Sequence, residues 1–226
     1  GKTGTAGKLK LSELDKYDGV LVPGGFGSTG VEGKIKVIEY VRKRKIPYFG
    51  LCYGMQRAVV EFARNVLGWT DAHTTEVDSK SAHPVIDIMP EQKNNLAESK
   101  YGATMRLGAY PCVLKKGTIA SKAYSLAGAK IAGAKIAKNG GKIISERHRH
   151  RYEVNPDFIE EIEKAGLVFS GISPDRRLME IAELPRNIHP FFLGVQFHPE
   201  FLARPLSPHP LFTAFVKAAI EKGKGK

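Results

Sequence analysis

Cysteine is nearly absent: Cys52 and Cys112 are the two in 226 residues. That excludes a disulfide-framed scaffold and points to reduced thiols. No apolar run approaches the roughly 18 residues a membrane-spanning helix needs, and the glycine- and lysine-rich start lacks the apolar stretch of a secretion signal. The chain therefore reads as cytoplasmic, with no membrane partner. Acidic residues are outnumbered, 23 Asp and Glu against 35 Lys and Arg, for a net charge of +12. The excess sits in the lead (Lys2, Lys8, Lys10, Lys16), in a helix end (Arg42, Lys43, Arg44, Lys45) and in the tail (Lys222, Lys224, Lys226). That distribution favours a solvated basic surface over a nucleic-acid groove. No linker breaks the chain after residue 17, and 42% hydrophobic content suits one core. A single domain is expected, behind a flexible lead over residues 1–10.

The chain is organised around Ile46-Pro-Tyr-Phe-Gly-Leu-Cys-Tyr-Gly-Met-Gln56. An apolar strand runs into a sharp turn and then a helical pattern over residues 54–67. Gly50-Leu-Cys-Tyr-Gly54 is the thiol form of a nucleophile elbow, its glycines leaving room for the bend. The helix N-terminus there is expected to favour the Cys52 thiolate. Upstream, residues 18–22 form a strand ending in Pro23-Gly-Gly-Phe-Gly27, and residues 31–44 form a surface helix. Together these make a β-loop-α-β unit with parallel neighbouring strands.

Residues 84–89 are expected to form a strand near the sheet's edge, with Glu76 before them able to reach back over the elbow. Residues 104–114 and 118–124 read as antiparallel strands, with Cys112 as a small core residue. Ala127-Gly-Ala-Lys-Ile131 is repeated at once as residues 132–136, a low-complexity insertion through residue 141. In Glu146-Arg-His-Arg-His-Arg-Tyr152, strand alternation places Arg147, Arg149 and Arg151 on one face and His148, His150 and Tyr152 on the other. Residues 156–164 read as a helix behind Asn155-Pro156, residues 167–172, 178–184 and 191–197 as strands, and Pro208-His-Pro210 opens a closing helix.

The last of those strands leads into His198-Pro199-Glu200. In an extended segment the two side chains project to one side, about 6.5 Å apart at Cα. If that strand lies parallel to the elbow strand, His198 emerges at the same C-terminal edge as Cys52, where open α/β sheets place ligands. Cys52 is then the nucleophile, His198 the general base and acid, and Glu200 the group that orients the imidazole. The N–H groups of Gly25 and Tyr53 are the candidate oxyanion donors. The combination predicts acyl transfer through a thioester, with no metal.

With these motifs the chain resembles the class I (triad-type) glutamine amidotransferases, and within them the glutaminase domains of CTP synthases. The resemblance is carried by Pro23-Gly-Gly-Phe-Gly27, Glu32-Gly-Lys34, Gly54-Met-Gln56, Glu61-Phe-Ala-Arg-Asn65, Thr104-Met-Arg-Leu-Gly108, Glu146-Arg-His-Arg-His-Arg-Tyr-Glu153 and Gln196-Phe-His-Pro-Glu-Phe201. It implies Cys52, His198 and Glu200 as the triad, and Gly24, Gly25 and Phe26 as the loop lining a glutamine pocket. It implies Gln56, Glu76 and Arg151 as glutamine-binding residues, with Glu76 suited to the α-ammonium and an arginine to the α-carboxylate. The implied fold is a three-layer α/β domain, flavodoxin-like, with a mostly parallel central sheet and a small β-rich lobe. No cofactor is expected in this domain; ATP, Mg and GTP activation belong with a synthetase domain of the same polypeptide, and a homo-oligomer with the full enzyme. The chain reads as such a domain excised.

Tyr53 stands where the family has Leu, and only its backbone N–H is expected to be used. Ser28-Thr29 replaces a more basic pair. Two other readings of the same residues are a Cys-His hydrolase of γ-glutamyl peptides or amides, and a basic nucleic-acid-binding module built on residues 147–152.

Overall fold

The computed structural model describes residues 10–88, 105–126, 135–136 and 142–225. The flexible lead expected over residues 1–10 lies outside these except for Lys10, as does the repeat of residues 127–141 except for a two-residue strand.

An eight-stranded sheet forms the centre. Its strands are β1 (Val20–Val22), β2 (Tyr48–Leu51), β4 (Arg106–Leu114), β5 (Lys135–Ile136), β6 (Lys142–His150), β8 (Val168–Ile172), β9 (Met179–Leu184) and β10 (Phe192–Val195). A separate pair, β3 (Ile86–Ile88) and β7 (Tyr152–Val154), is antiparallel. The helices are α1 (Val31–Lys43), α2 (Tyr53–Asn65), α3 (Ile119–Leu126), α4 (Ile159–Lys164) and α5 (Pro210–Gly223). The spatial order of the main sheet is β1-β2-β10-β9-β8-β4-β6-β5.

Parallel pairing is confined to the end that carries the elbow. There β2 lies between β1 and β10, with Tyr48 opposite both Val20 and Phe192. From β10 outward every pairing is antiparallel. The fold is α/β as expected, but the sheet is mixed rather than mostly parallel, and the β-rich lobe is largely the antiparallel arm of that sheet. Strand direction is fixed by where each connection leads, and local apolar pattern does not encode it.

Alternation splits the strands between two cores. Tyr48 and Phe192 face α1 and α2, packing with Ile35, Ile38, Val41, Val59 and Phe62. Phe49, Leu51, Leu193 and Val195 face α3 and α5. Phe49 meets Phe191 edge-on at 6.2 Å and Phe212 at 5.5 Å. Burying one such ring contributes about 1.5–3 kcal/mol. Arg42 of α1 is bonded to the buried Glu61 of α2 through Nη2 at 2.7 Å and Nε at 2.9 Å, which gives the Glu61-Phe-Ala-Arg-Asn65 motif a structural role.

Two sequence expectations change here. Residues 119–124 belong to α3, not a strand: the paired carboxylate oxygens of Glu183 accept the N–H groups of Ile119 and Ala120 at 2.6 and 3.0 Å, capping the helix from β9. Residues 86–88 pair with β7 in the small second sheet, not at the edge of the main one.

Candidate active site

The elbow is built as its glycines require. A Cβ on Gly54 would lie 2.3 Å from the Val22 carbonyl oxygen, and one on Gly50 would lie 2.7 Å from both the Gly54 carbonyl carbon and the Tyr48 hydroxyl. Helix α2 therefore sits directly on the sheet, and its first turn can begin at the strand's end. Cys52 takes φ 47°, ψ −98°, a conformation that costs a non-glycine residue about 1–3 kcal/mol. It is held there by Cys52 N donating to Val195 O at 2.6 Å and Gln56 N donating to Cys52 O at 3.1 Å.

The thiol itself is buried, and burial pushes its pKa up to about 12. A backbone N–H bond from Tyr53 lowers it, while Glu153, Glu200 and Glu76 raise it further. The helix N-terminus thus does not make a resting thiolate: desolvation outweighs it. A neutral thiol waits for a base.

His198 supplies that base from the same sheet edge, because β10 runs parallel to β2. Its Nδ1 lies 2.6 Å from Glu200 Oε1. The two do not meet by strand alternation: a 3-10 turn, Pro199–Phe201, follows His198 and brings Glu200 to the Nδ1 edge of the ring. Phe201 stacks on the imidazole with centroids 4.8 Å apart, and a Cβ on Gly24 would come within 2.9 Å of His198 Cε1. Held on these sides, the ring leaves Nε2 buried and without a hydrogen-bond partner among the described residues. That nitrogen is free to take a proton.

The glycine loop closes the site. Gly27 N donates to Glu76 Oε1 at 2.9 Å, so Glu76 reaches back over the elbow as its sequence position suggested. Gly25 lies against the Tyr53 ring, and the Tyr53 hydroxyl donates to Gly27 O. The Tyr53 side chain is therefore in use, contrary to the expectation that its backbone N–H alone would matter. Phe26, expected to line the pocket, is 88% exposed.

Arg147 and Arg149 point outward from β6 while His148 and His150 are buried, as alternation predicts. The strand ends at His150, and Arg151 occupies the bend before β7. Arg151 is thus outside the strand that carries Arg147 and Arg149; it is half-buried where they are exposed, and its charge together with that of Glu76 acts on the Tyr152 phenol. Gln56 Nε2 donates to Tyr152 O at 3.0 Å. Burial holds His148 and His150 neutral, with pKa values pushed down to about 2 and about 3. They form a core between Arg106, Glu153 and Glu180.

Two contributors were not singled out from sequence. Gln196 Nε2 donates to Cys52 Sγ at 3.5 Å, and Phe201 stacks on His198. Both lie inside Gln196-Phe-His-Pro-Glu-Phe201, whose flanking positions were the available signal. Among the described residues no cluster of three His, Cys, Asp or Glu side chains could hold a metal, and no helix is long and apolar enough to cross a membrane.

Comparison with known proteins gives the family. The family model for class I glutamine amidotransferases matches residues 5–218. CTP synthase of Fibrobacter succinogenes is 53% identical over 213 residues, covering 93% of this chain and 34% of that protein. CTP synthase of Pyrococcus abyssi is 53% identical over 209 residues, covering 92% and 35%. The chain therefore spans about a third of the length of the curated relatives it matches. Among solved structures, the glutaminase domain of Trypanosoma brucei CTPS with bound acivicin aligns with TM-score 0.80 and 40% identity, covering 93% of this chain and 74% of that one. The chain belongs to the class I glutamine amidotransferases, in the branch formed by the glutaminase domains of CTP synthases.

Proposed function

We propose that this domain hydrolyses L-glutamine to L-glutamate and ammonia through a γ-glutamyl thioester on Cys52. The observation that carries the proposal is the state of His198, whose Nδ1 is anchored on Glu200 at 2.6 Å while its Nε2 is left without a partner on the sheet edge of the elbow. A protonated thiol beside an imidazole whose Nε2 has no partner is the pair needed for proton transfer coupled to attack.

In the first step the Cys52 proton passes to His198 Nε2 as Sγ adds to the side-chain carbonyl carbon of glutamine. The N–H groups of Tyr53 and Gly25 receive the oxyanion. As the tetrahedral intermediate collapses, the C–N bond breaks and His198 gives its proton to the leaving nitrogen, which departs as ammonia. Water then adds to the thioester with its proton taken by His198, the C–S bond breaks, and the proton returns to Cys52. Glu200 fixes the tautomer and steadies the imidazolium in both halves. Glu76 suits the substrate's α-ammonium and Arg151 its α-carboxylate, with Gln56 and the loop at Gly24 and Gly25 completing the pocket.

In the longer polypeptide the ammonia would pass to a synthetase domain and aminate UTP to CTP, using ATP and Mg and responding to GTP, in a cytoplasmic homo-oligomer. The test is ammonia release from glutamine by this chain and by Cys52→Ala. Release by the wild type and none by the variant supports the reading; release from γ-glutamyl peptides but not from glutamine overturns it.

A further inference from the structure

We infer that Tyr53 is a positioning residue of the reaction, its phenol latching the glycine loop over the elbow. The inference rests on the glutaminase reading above and adds a role for a side chain beside that of the backbone N–H.

Residues 24, 25 and 27 carry no side chain to anchor the loop, and the Phe26 ring stands in solvent. The grip has to come from elsewhere. Gly27 is held at both its polar groups: its N–H by Glu76 and its carbonyl by the Tyr53 hydroxyl. Its φ of +73°, with nothing near the position of a Cβ, shows that glycine is needed there for conformation and not for space. Such a residue rotates readily once released.

The latch is itself braced. The Arg57 guanidinium carbon lies 4.1 Å from the centroid of the Tyr53 ring, one helical turn along α2, and Gly25 packs on the same ring. Arg57 is fully buried, and its three guanidinium nitrogens find no hydrogen-bond partner among the described residues. Stacking beneath Tyr53 is the contact the structure gives that charge. Burial, against the pull of Arg57, raises the phenol's pKa and keeps it a protonated donor. One side chain thus couples the two oxyanion donors: Tyr53 carries one on its own backbone and fixes the loop that carries the other.

Tyr53→Phe keeps the ring and its stacking and removes the latch alone. Because the hydroxyl is engaged by the Gly27 carbonyl, we expect kcat for glutamine hydrolysis to fall about tenfold to a hundredfold with KM nearly unchanged. Alkylation of Cys52 by iodoacetamide, which displaces iodide and forms no oxyanion, should not slow. Hydrogen exchange at residues 24–28 reads the latch without turnover and should speed up in the variant, about tenfold for one lost hydrogen bond. Unchanged exchange, or wild-type kcat in Tyr53→Phe, overturns the inference. A wild-type chain that releases no ammonia, with exchange still accelerated in the variant, overturns the glutaminase reading and leaves the latch standing.

Discussion

Gln196 reaches from the end of β10 to the nucleophile, its Nε2 3.5 Å from Cys52 Sγ, and its Oε1 accepts from Gln56 Nε2 at 3.3 Å. This chain of amides joins the thiol to the Tyr152 carbonyl beside Arg151. A donor on a buried sulfur favours the thiolate that burial opposes. Gln196→Leu should therefore lower kcat about tenfold, the worth of one hydrogen bond in the transition state. The pH profile of Cys52 alkylation should also shift upward. An unshifted profile would show that the amide does not act on the sulfur.

Glu200 fixes which nitrogen of His198 carries the proton. Glu200→Gln keeps the size of the side chain and removes the charge that steadies the imidazolium. A loss of about 100-fold or more in kcat is expected, with KM little changed. A loss confined to KM would assign Glu200 to substrate binding instead.

Arg42 and Glu61 make a stability prediction away from the chemistry. Glu61 is fully buried, so Arg42→Met leaves a carboxylate unpaired and should cost about 3–5 kcal/mol, read as a lower denaturant midpoint. Adding Glu61→Leu should restore most of the loss. Failure of the double variant to recover would mean that packing of the Arg42 stem, and not its charge, is what matters.

Acid should weaken the fold through its buried histidines. Burial pushes the His189 pKa down to about 4, against the Val41 carbonyl bond that raises it. In the unfolded chain an imidazole titrates near 6.5. Below pH 6.5 the unfolded state binds a proton that the folded state refuses until about pH 4. Stability present above 6.5 is then lost as pH falls, by up to about 1.4 kcal/mol per pH unit for this group. His148 and His150 have the same sign, whereas Glu183, raised chiefly by burial, has the opposite one. Denaturation of wild type and His189→Gln at pH 7, 6 and 5 should show a shallower slope in the variant. Equal slopes would remove His189 from this account.

The parts legible in sequence were those that neighbouring residues determine. Gly50, Cys52 and Gly54 specify a bend by their own sterics, and the alternation of residues 147–150 sorted arginine from histidine correctly. What was misread depends on distant partners. The stretch begins with β-branched Thr118 and Ile119, yet residues 119–126 form a helix that Glu183, far along the chain, caps. Arg151 falls in the bend between β6 and β7, outside the strand that carries Arg147 and Arg149, because the chain leaves the main sheet there to pair with β3. The Tyr53 phenol meets a loop 26 residues earlier, which no helical periodicity could reveal. The resting thiol's high pKa comes from burial on all sides, a property of the assembled core.

The central claim is that Cys52 forms the bond to substrate. Cys112 serves as an internal control, being fully buried with its thiol pKa raised by burial. The measurement is the intact mass of this chain after exposure to a glutamine-like electrophile, for wild type and Cys52→Ala. One adduct on the wild type and none on the variant is the predicted result; an adduct that persists in Cys52→Ala would contradict the account.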